Sequence, residues 1–121
     1  MRKPWLILLI VMLSVVVGSV AAQDKKREAQ LRTVRGTVVD KQDDPVASGV
    51  VYLKNLRTAS VKTYIADDAG QYRFSGLDPN VDYEIHAEHR ELTSATRTVS
   101  SFDSRKDIVI NLKVDKKKGQ K

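Results

Sequence analysis

The stretch Asp67 to Leu77, "DDAGQYRFSGL", decides how this chain is read. Two adjacent acids and a glycine precede aromatics at alternate positions, and a second glycine and a leucine follow. Such a run could be a cation loop or a tight turn leading into a strand. A calcium loop gathers six or more oxygens, commonly from acids at alternate positions. Here the acids are neighbours and rings come next, so no metal is expected. As a turn every residue has a task. An acid side chain accepts a backbone N–H, Gly70 supplies a positive φ, and Tyr72 and Phe74 point to one face. Gly76 then lets the chain bend so that Leu77 returns to the interior. The expectation is a hairpin loop at Asp67 to Gly70 joining two strands of a β-sandwich, with Asp67, Gly70 and Gly76 as structural turn residues.

Working outward, alternation recurs on both sides. In "RTVRGTVVD", Val34, Gly36 and Val38 share one face from Arg32 onward, and "KQDDP" is a turn cluster. In "VASGVVYLKN", Val51 and Leu53 point in, leaving Val50 and Tyr52 outward. In "SVKTYIA" the inward face is assigned to Val61, Thr63 and Ile65, with Tyr64 outward. "DYEIHAE" places Tyr83, Ile85 and Ala87 inside. "LTSATRTV" is polar enough for an edge strand. "DIVINLKV" shows the clearest pattern, with Ile108, Ile110, Leu112 and Val114 inside. Seven short strands with turns between them and no helical period predict an all-β, seven-stranded antiparallel β-sandwich. Its expected core contains Val38, Val51, Leu53, Phe74, Leu77, Tyr83, Ile85, Ile110 and Leu112. One-sided alternation by itself also suits a barrel.

The chain has 121 residues, enough for one domain. Arg2 and Lys3 precede an apolar run from Trp5 to Val17, and Gly18-Ser19-Val20-Ala21-Ala22 follows. That order predicts a signal peptide, residues 1–22, cleaved after Ala22. The apolar run is shorter than the roughly 20 residues a membrane-spanning helix needs. With no cysteine there is neither a lipoprotein anchor nor a disulfide framework. The expected product is secreted or periplasmic and not a lipoprotein. Residues 23–31 read as a flexible polar spacer, 32–114 as the sandwich and 115–121 as a basic disordered tail.

The net charge is +6, and removing Arg2 and Lys3 leaves +4. The end of the chain, Lys113 to Lys121, carries five lysines against Asp115, so the folded middle is close to neutral. A nucleic-acid partner is not expected, because such domains line one folded face with basic groups.

The pieces "VRGTVVD", "DPVASGVVYL", "DDAGQYRFSGL" and "YEIHA", in that order, resemble the carboxypeptidase regulatory-like domains. The likeness runs from about Val34 to Leu112. Gly36, Pro45, Gly49, Asp67, Gly70, Phe74, Leu77 and Tyr83 stand where that family keeps its structural residues. The departure is at Pro79, followed by Asn80-Val81-Asp82 where the family more often has a glycine. The resemblance implies a prealbumin-like sandwich, also grouped with carbohydrate-binding-like folds. It further implies a non-catalytic module of the kind attached to carboxypeptidases, outer-membrane receptors and other exported proteins.

Catalysis finds no support in the residues. His86 and His89 are three apart on a strand and face opposite sides, so they cannot share one metal. No nucleophile and orienting group accompany them. The prealbumin-like hydrolase of purine breakdown ends in Tyr-Arg-Gly-Ser, whereas this chain ends "KVDKKKGQK". An isopeptide bond between Lys41 and Asn111 lacks its assisting acid, because that position is Ala87. No cofactor is expected. Two functions remain. The first is contact with an unidentified envelope or extracellular protein, with Val50, Tyr52 and Tyr64 as the partner-binding residues. The alternative is carbohydrate binding, which needs Tyr52 or Tyr64 exposed beside polar acceptors. Lys116, Lys117, Lys118 and Lys121 could add a weak attraction to an anionic surface.

Overall fold

Nine strands form the fold in the computed structural model, which describes residues 31–119. In chain order they are β1 (Arg32–Val39), β2 (Val50–Asn55), β3 (Val61–Ile65), β4 (Gln71–Leu77), β5 (Tyr83–His89), β6 (Leu92–Ser94), β7 (Arg97–Val99), β8 (Asp107–Val109) and β9 (Leu112–Lys117). The expected signal and its Ala22 cleavage point, most of the spacer, and Lys121 lie outside the described residues.

The sheet path runs β3-β2-β5-β6-β9-β1-β4, with β7 beside β5 and β8 beside β1. It folds into two layers. Val34, Val38, Tyr72, Phe74 and Ile108 face Val51, Leu53, Tyr83, Ile85, Ala87 and Val99 across the interior, and all of them are buried. All nine residues named for the expected core are buried, and the architecture is all-β and sandwich-like.

Several details correct the sequence reading. The sheet is mixed, because β1 pairs in parallel with both β8 and β9. The expected sixth strand is two short ones, β6 and β7, which occupy different stretches of the same edge of β5. The expected seventh breaks at Ile110-Asn111 into β8 and β9. At the break the Ile110 amide still donates to the Arg35 carbonyl at 2.9 Å, but side chains take the next bonds. The Thr37 amide donates to Asn111 Oδ1 at 3.0 Å, and the Tyr72 hydroxyl donates to the Ile110 carbonyl.

The Asp67–Gly70 loop is not a hairpin. β3 pairs with β2 while β4 pairs with β1, so the loop carries the chain from one end of the sheet path to the other. The phase of β3 is also reversed. Tyr64 opposes the buried Val51, and its ring meets Phe74 edge-on at 5.9 Å. Val61 and Ile65 therefore face outward.

Residues 115–117 are not disordered. β9 continues to Lys117, pairing Lys116 with Thr93 and Lys117 with Leu92 of β6. The lysine ammonium groups stay exposed while their backbone is paired, so charge does not prevent the strand. Lys118 closes the run, its amide donating to the Glu91 carbonyl at 2.8 Å.

Candidate functional site

Two outward faces carry the residues that could do work. The first belongs to β3, β2 and β5. Pairing registers place Ile65 beside Val50, Thr63 beside Tyr52, and Val61 beside Lys54. On the other side of β2, Val50 meets Glu88, Tyr52 meets His86, and Lys54 meets Glu84. Tyr52 and His86 stack with ring centroids 5.0 Å apart and planes at 14°. A hydrogen bond with Glu88 pushes the Tyr52 hydroxyl above its ordinary pKa. Glu88 is also 3.9 Å from the Lys118 ammonium. Ile65 is 68% exposed and Val61 53%. An apolar margin thus adjoins an aromatic, rigidly stacked centre.

The second face belongs to β4, β1 and β8. A cleft of about 340 Å³ is lined by Arg35, Thr37, Gln71, Arg73, Val109 and Asn111, together with Tyr64 and Asp67. Arg35 is gripped by Asp107 through bonds of 3.0 Å from both Nε and Nη2. That grip holds the Asp107 carboxyl below its ordinary range. Arg73 makes no ion pair among the described residues. Asn111 spends Oδ1 on the Thr37 amide.

The turn residues sit as follows. Asp67 Oδ1 accepts the amides of Ala69 at 3.0 Å and Gln71 at 2.8 Å. That oxygen is occupied by the turn itself. Gly70 has φ +74°, and a side chain there would meet the Val38 carbonyl at 2.7 Å. Its own carbonyl accepts the Val38 amide at 2.7 Å, so the turn is pinned to β1. Gly76 has φ +71° inside β4, where the register against β1 slips between Arg32 and Val34. That is a β-bulge. Among the described residues no group of three His, Asp or Glu side chains is placed to hold a cation.

Val50 and Tyr52 come together on the first face, whereas Tyr64, expected to point outward with them, lies on the opposite side of its sheet and lines the cleft of the second. Sequence reasoning missed Ile65 and Val61, whose exposure follows from the reversed phase of β3. It also missed Arg35 and Arg73, because their cleft is assembled from three strands far apart in the chain. Phe102 was not singled out either. It is 95% exposed on the loop between β7 and β8, beside the Asp103–Arg105 ion pair at 2.6 Å.

The family model described as carboxypeptidase regulatory-like domain matches residues 33–114. No curated protein matches. Among solved structures, catechol 1,2-dioxygenase from Acinetobacter sp. aligns with TM-score 0.55 and 10% identity, covering 72% of this chain and 53% of that one. Catechol 1,2-dioxygenase from Pseudomonas arvilla aligns with TM-score 0.49 and 12% identity, over 69% and 52% of the two chains. The chain spans about half the length of these dioxygenases. At such identity the first likeness speaks to the fold alone.

Proposed function

The chain belongs to the carboxypeptidase regulatory-like domain family, and from that premise we propose that it is a non-enzymatic module acting through protein contact in the cell envelope. The carrying observation is the outward face of β3, β2 and β5. Ile65 at 68% exposure lies beside Val50, and Tyr52 is held flat on His86 in the next row. An apolar margin around a rigid aromatic is what a protein contact uses: the ring offers large area at low entropic cost, and flanking groups exclude water. Glu84, Glu88 and Lys54 give that face a charged surround that would select among partners. The export this reading needs is suggested by the order of residues 1–22.

The experiment compares the wild type with Val50→Glu and Tyr52→Glu for capture of a partner from the native envelope. Both variants should remain folded, with a modest loss of stability, since each changes an outward side chain but sets a carboxylate beside Glu88. Loss of the same captured protein in both supports the reading. Undiminished capture by both folded variants would move the contact elsewhere.

A second reading rests on Tyr64. It is 40% exposed and stands with Arg73, Gln71 and Asn111 at the 340 Å³ cleft, which is the ring-beside-polar-groups arrangement a carbohydrate site requires. Its size is near the lower end of the roughly 300–1,000 Å³ of small-molecule clefts. Titration with a panel of neutral and acidic oligosaccharides tests it, with Arg73→Ala and Tyr64→Ala as controls. Heat of binding lost in both controls would favour carbohydrate over protein contact. The lysines of β9 and its end add a weak anionic-surface attraction. Vesicle binding that does not fall as salt rises would contradict that addition.

A further inference from the structure

β3 ends the sheet path, and among the described residues no strand pairs with its outer edge. Its bonds to β2 fix which groups look outward from that edge. The Asn55 amide donates to Ser60 O, and the Ala66 amide to Gly49 O, both at 2.8 Å. The register between those points is unbroken from Val50↔Ile65 to Lys54↔Val61. Antiparallel pairs alternate between bonded and non-bonded. Ser60, Lys62, Tyr64 and Ala66 therefore bond to β2, while the N–H and C=O groups of Val61, Thr63 and Ile65 point away from the sheet.

Such an edge is usually blunted by a bulge, a proline or inward charge. β4, at the other end of the path, has its bulge at Gly76. β3 has neither bulge nor proline; its one charged residue, Lys62, lies on the inward side opposite Leu53 and is the only one of these devices the edge carries. Its outward residues have the same apolar character read either way about Thr63, since Val61 mirrors Ile65, while the inward positions hold Lys62 and Tyr64. Charge gives it a direction as well. Lys62 precedes the midpoint, as does Arg57, which already pairs with Asp78 at 3.3 Å, and Asp67 and Asp68 follow it. A second copy laid antiparallel brings its acidic end to this basic end, whereas a parallel copy would set like on like.

We propose that β3 pairs with β3 of a second copy about a two-fold axis at Thr63, so that the sheet runs continuously through a dimer. Each Thr63 exchanges both backbone bonds with its counterpart, and each Val61 does so with the other chain's Ile65. The outward apolar pairs Val61–Ile65 then cover one another. Lys62 lies across from Tyr64 on the opposite face, where an ammonium can rest against a ring. The interface is isologous and closed, as a two-fold contact must be. It draws on Ile65, which also borders the partner face proposed above, but not on Tyr52, which lies one strand inward from this edge.

The test is the mass of the protein, produced from its full reading frame, by sedimentation across a concentration series. The wild type should reach twice the single-chain mass at high concentration and return to one on dilution. Thr63→Pro removes an N–H that faces the free edge and none that bonds β2, a position where a strand tolerates proline. It should stay at the single-chain mass with its fold intact. Should that variant not fold, Ile65→Glu is the substitute, and it too should be single. Adding Val61→Lys to Ile65→Glu should restore the dimer, because antiparallel pairing sets the new charges opposite one another. Tyr52→Glu should leave the dimer unchanged even if it abolishes capture of another protein. A single-chain mass for the wild type at every concentration would overturn the proposal. So would a dimer that survives Thr63→Pro and Ile65→Glu, or one that the double variant does not restore.

Discussion

Gly36 and Gly76 are both glycines within strands, yet they are required for opposite reasons. A Cβ on Gly36 would lie 1.9 Å from the Ile110 carbonyl oxygen, where β1 meets the break between β8 and β9. The two nearest atoms, the Ile110 carbonyl oxygen and carbon, both belong to the backbone, so Gly36→Ala must displace backbone. We expect a loss of at least about 2 kcal/mol in urea unfolding. Gly76 has open space around it and only its φ of +71° to defend. Gly76→Ala should cost roughly 1 kcal/mol. A smaller loss for Gly36→Ala than for Gly76→Ala would refute this ranking. At Asp103 the prediction concerns pH. Hydrogen bonds from Arg105 hold its carboxyl down to about 2, from an ordinary value of 3.8. A depressed folded-state pKa means its contribution is present above the ordinary value and is lost as pH falls through the folded one. The loop bearing Phe102 should therefore loosen between about pH 4 and pH 2. Carboxyl titration by NMR checks it, and a midpoint for Asp103 near its ordinary value would contradict the ion pair.

At the scale of the strand, β1 shows what alternation reveals and what it conceals. Val34 and Val38 read directly as core because one face of the strand is buried and the other is not. Arg32 occupies the same inward phase and is only 2% exposed, which no pattern of apolar residues would announce. Its guanidinium donates to the carbonyls of Ser100 at 2.7 Å, Asp78 at 3.0 Å and Val81 at 2.8 Å. It ties the start of β1 to two loops, and its Nε has no partner among the described residues. Arg32→Met keeps the apolar stem and strands those carbonyls, so it should cost about 1–3 kcal/mol or more. Unchanged stability would mean that water replaces the guanidinium freely. β3 shows the converse. All five of its residues are exposed, so burial does not set its phase. Only the register against β2 does, and that register is not written in the strand's own residues. The break at Ile110-Asn111 was hidden for a related reason. The apolar alternation continues through it, and the Ile110 amide still bonds β1, while the side chains of Asn111 and Tyr72 take the next backbone partners.

For the whole molecule, the order of turns and apolar pairs carried the architecture, because each strand had to bury one face against the other layer. The candidate sites were legible only where a single strand contained them. Val50 and Tyr52 are neighbours in one outward phase and could be picked out from β2 alone. Ile65 joins them through pairing, and the cleft of Arg35, Arg73 and Asn111 exists only once β1, β4 and the β8–β9 break are side by side. The two faces now make opposed claims about function, and they lie on different sheet surfaces. Placing a photo-activatable cross-linking residue at Tyr52 in one variant and at Arg73 in another, then illuminating cells that produce the protein, separates them directly. A protein contact centred on Tyr52 should give a discrete adduct, larger than a dimer of this chain, from position 52 and none from position 73. An adduct from position 73 with none from position 52 would contradict it.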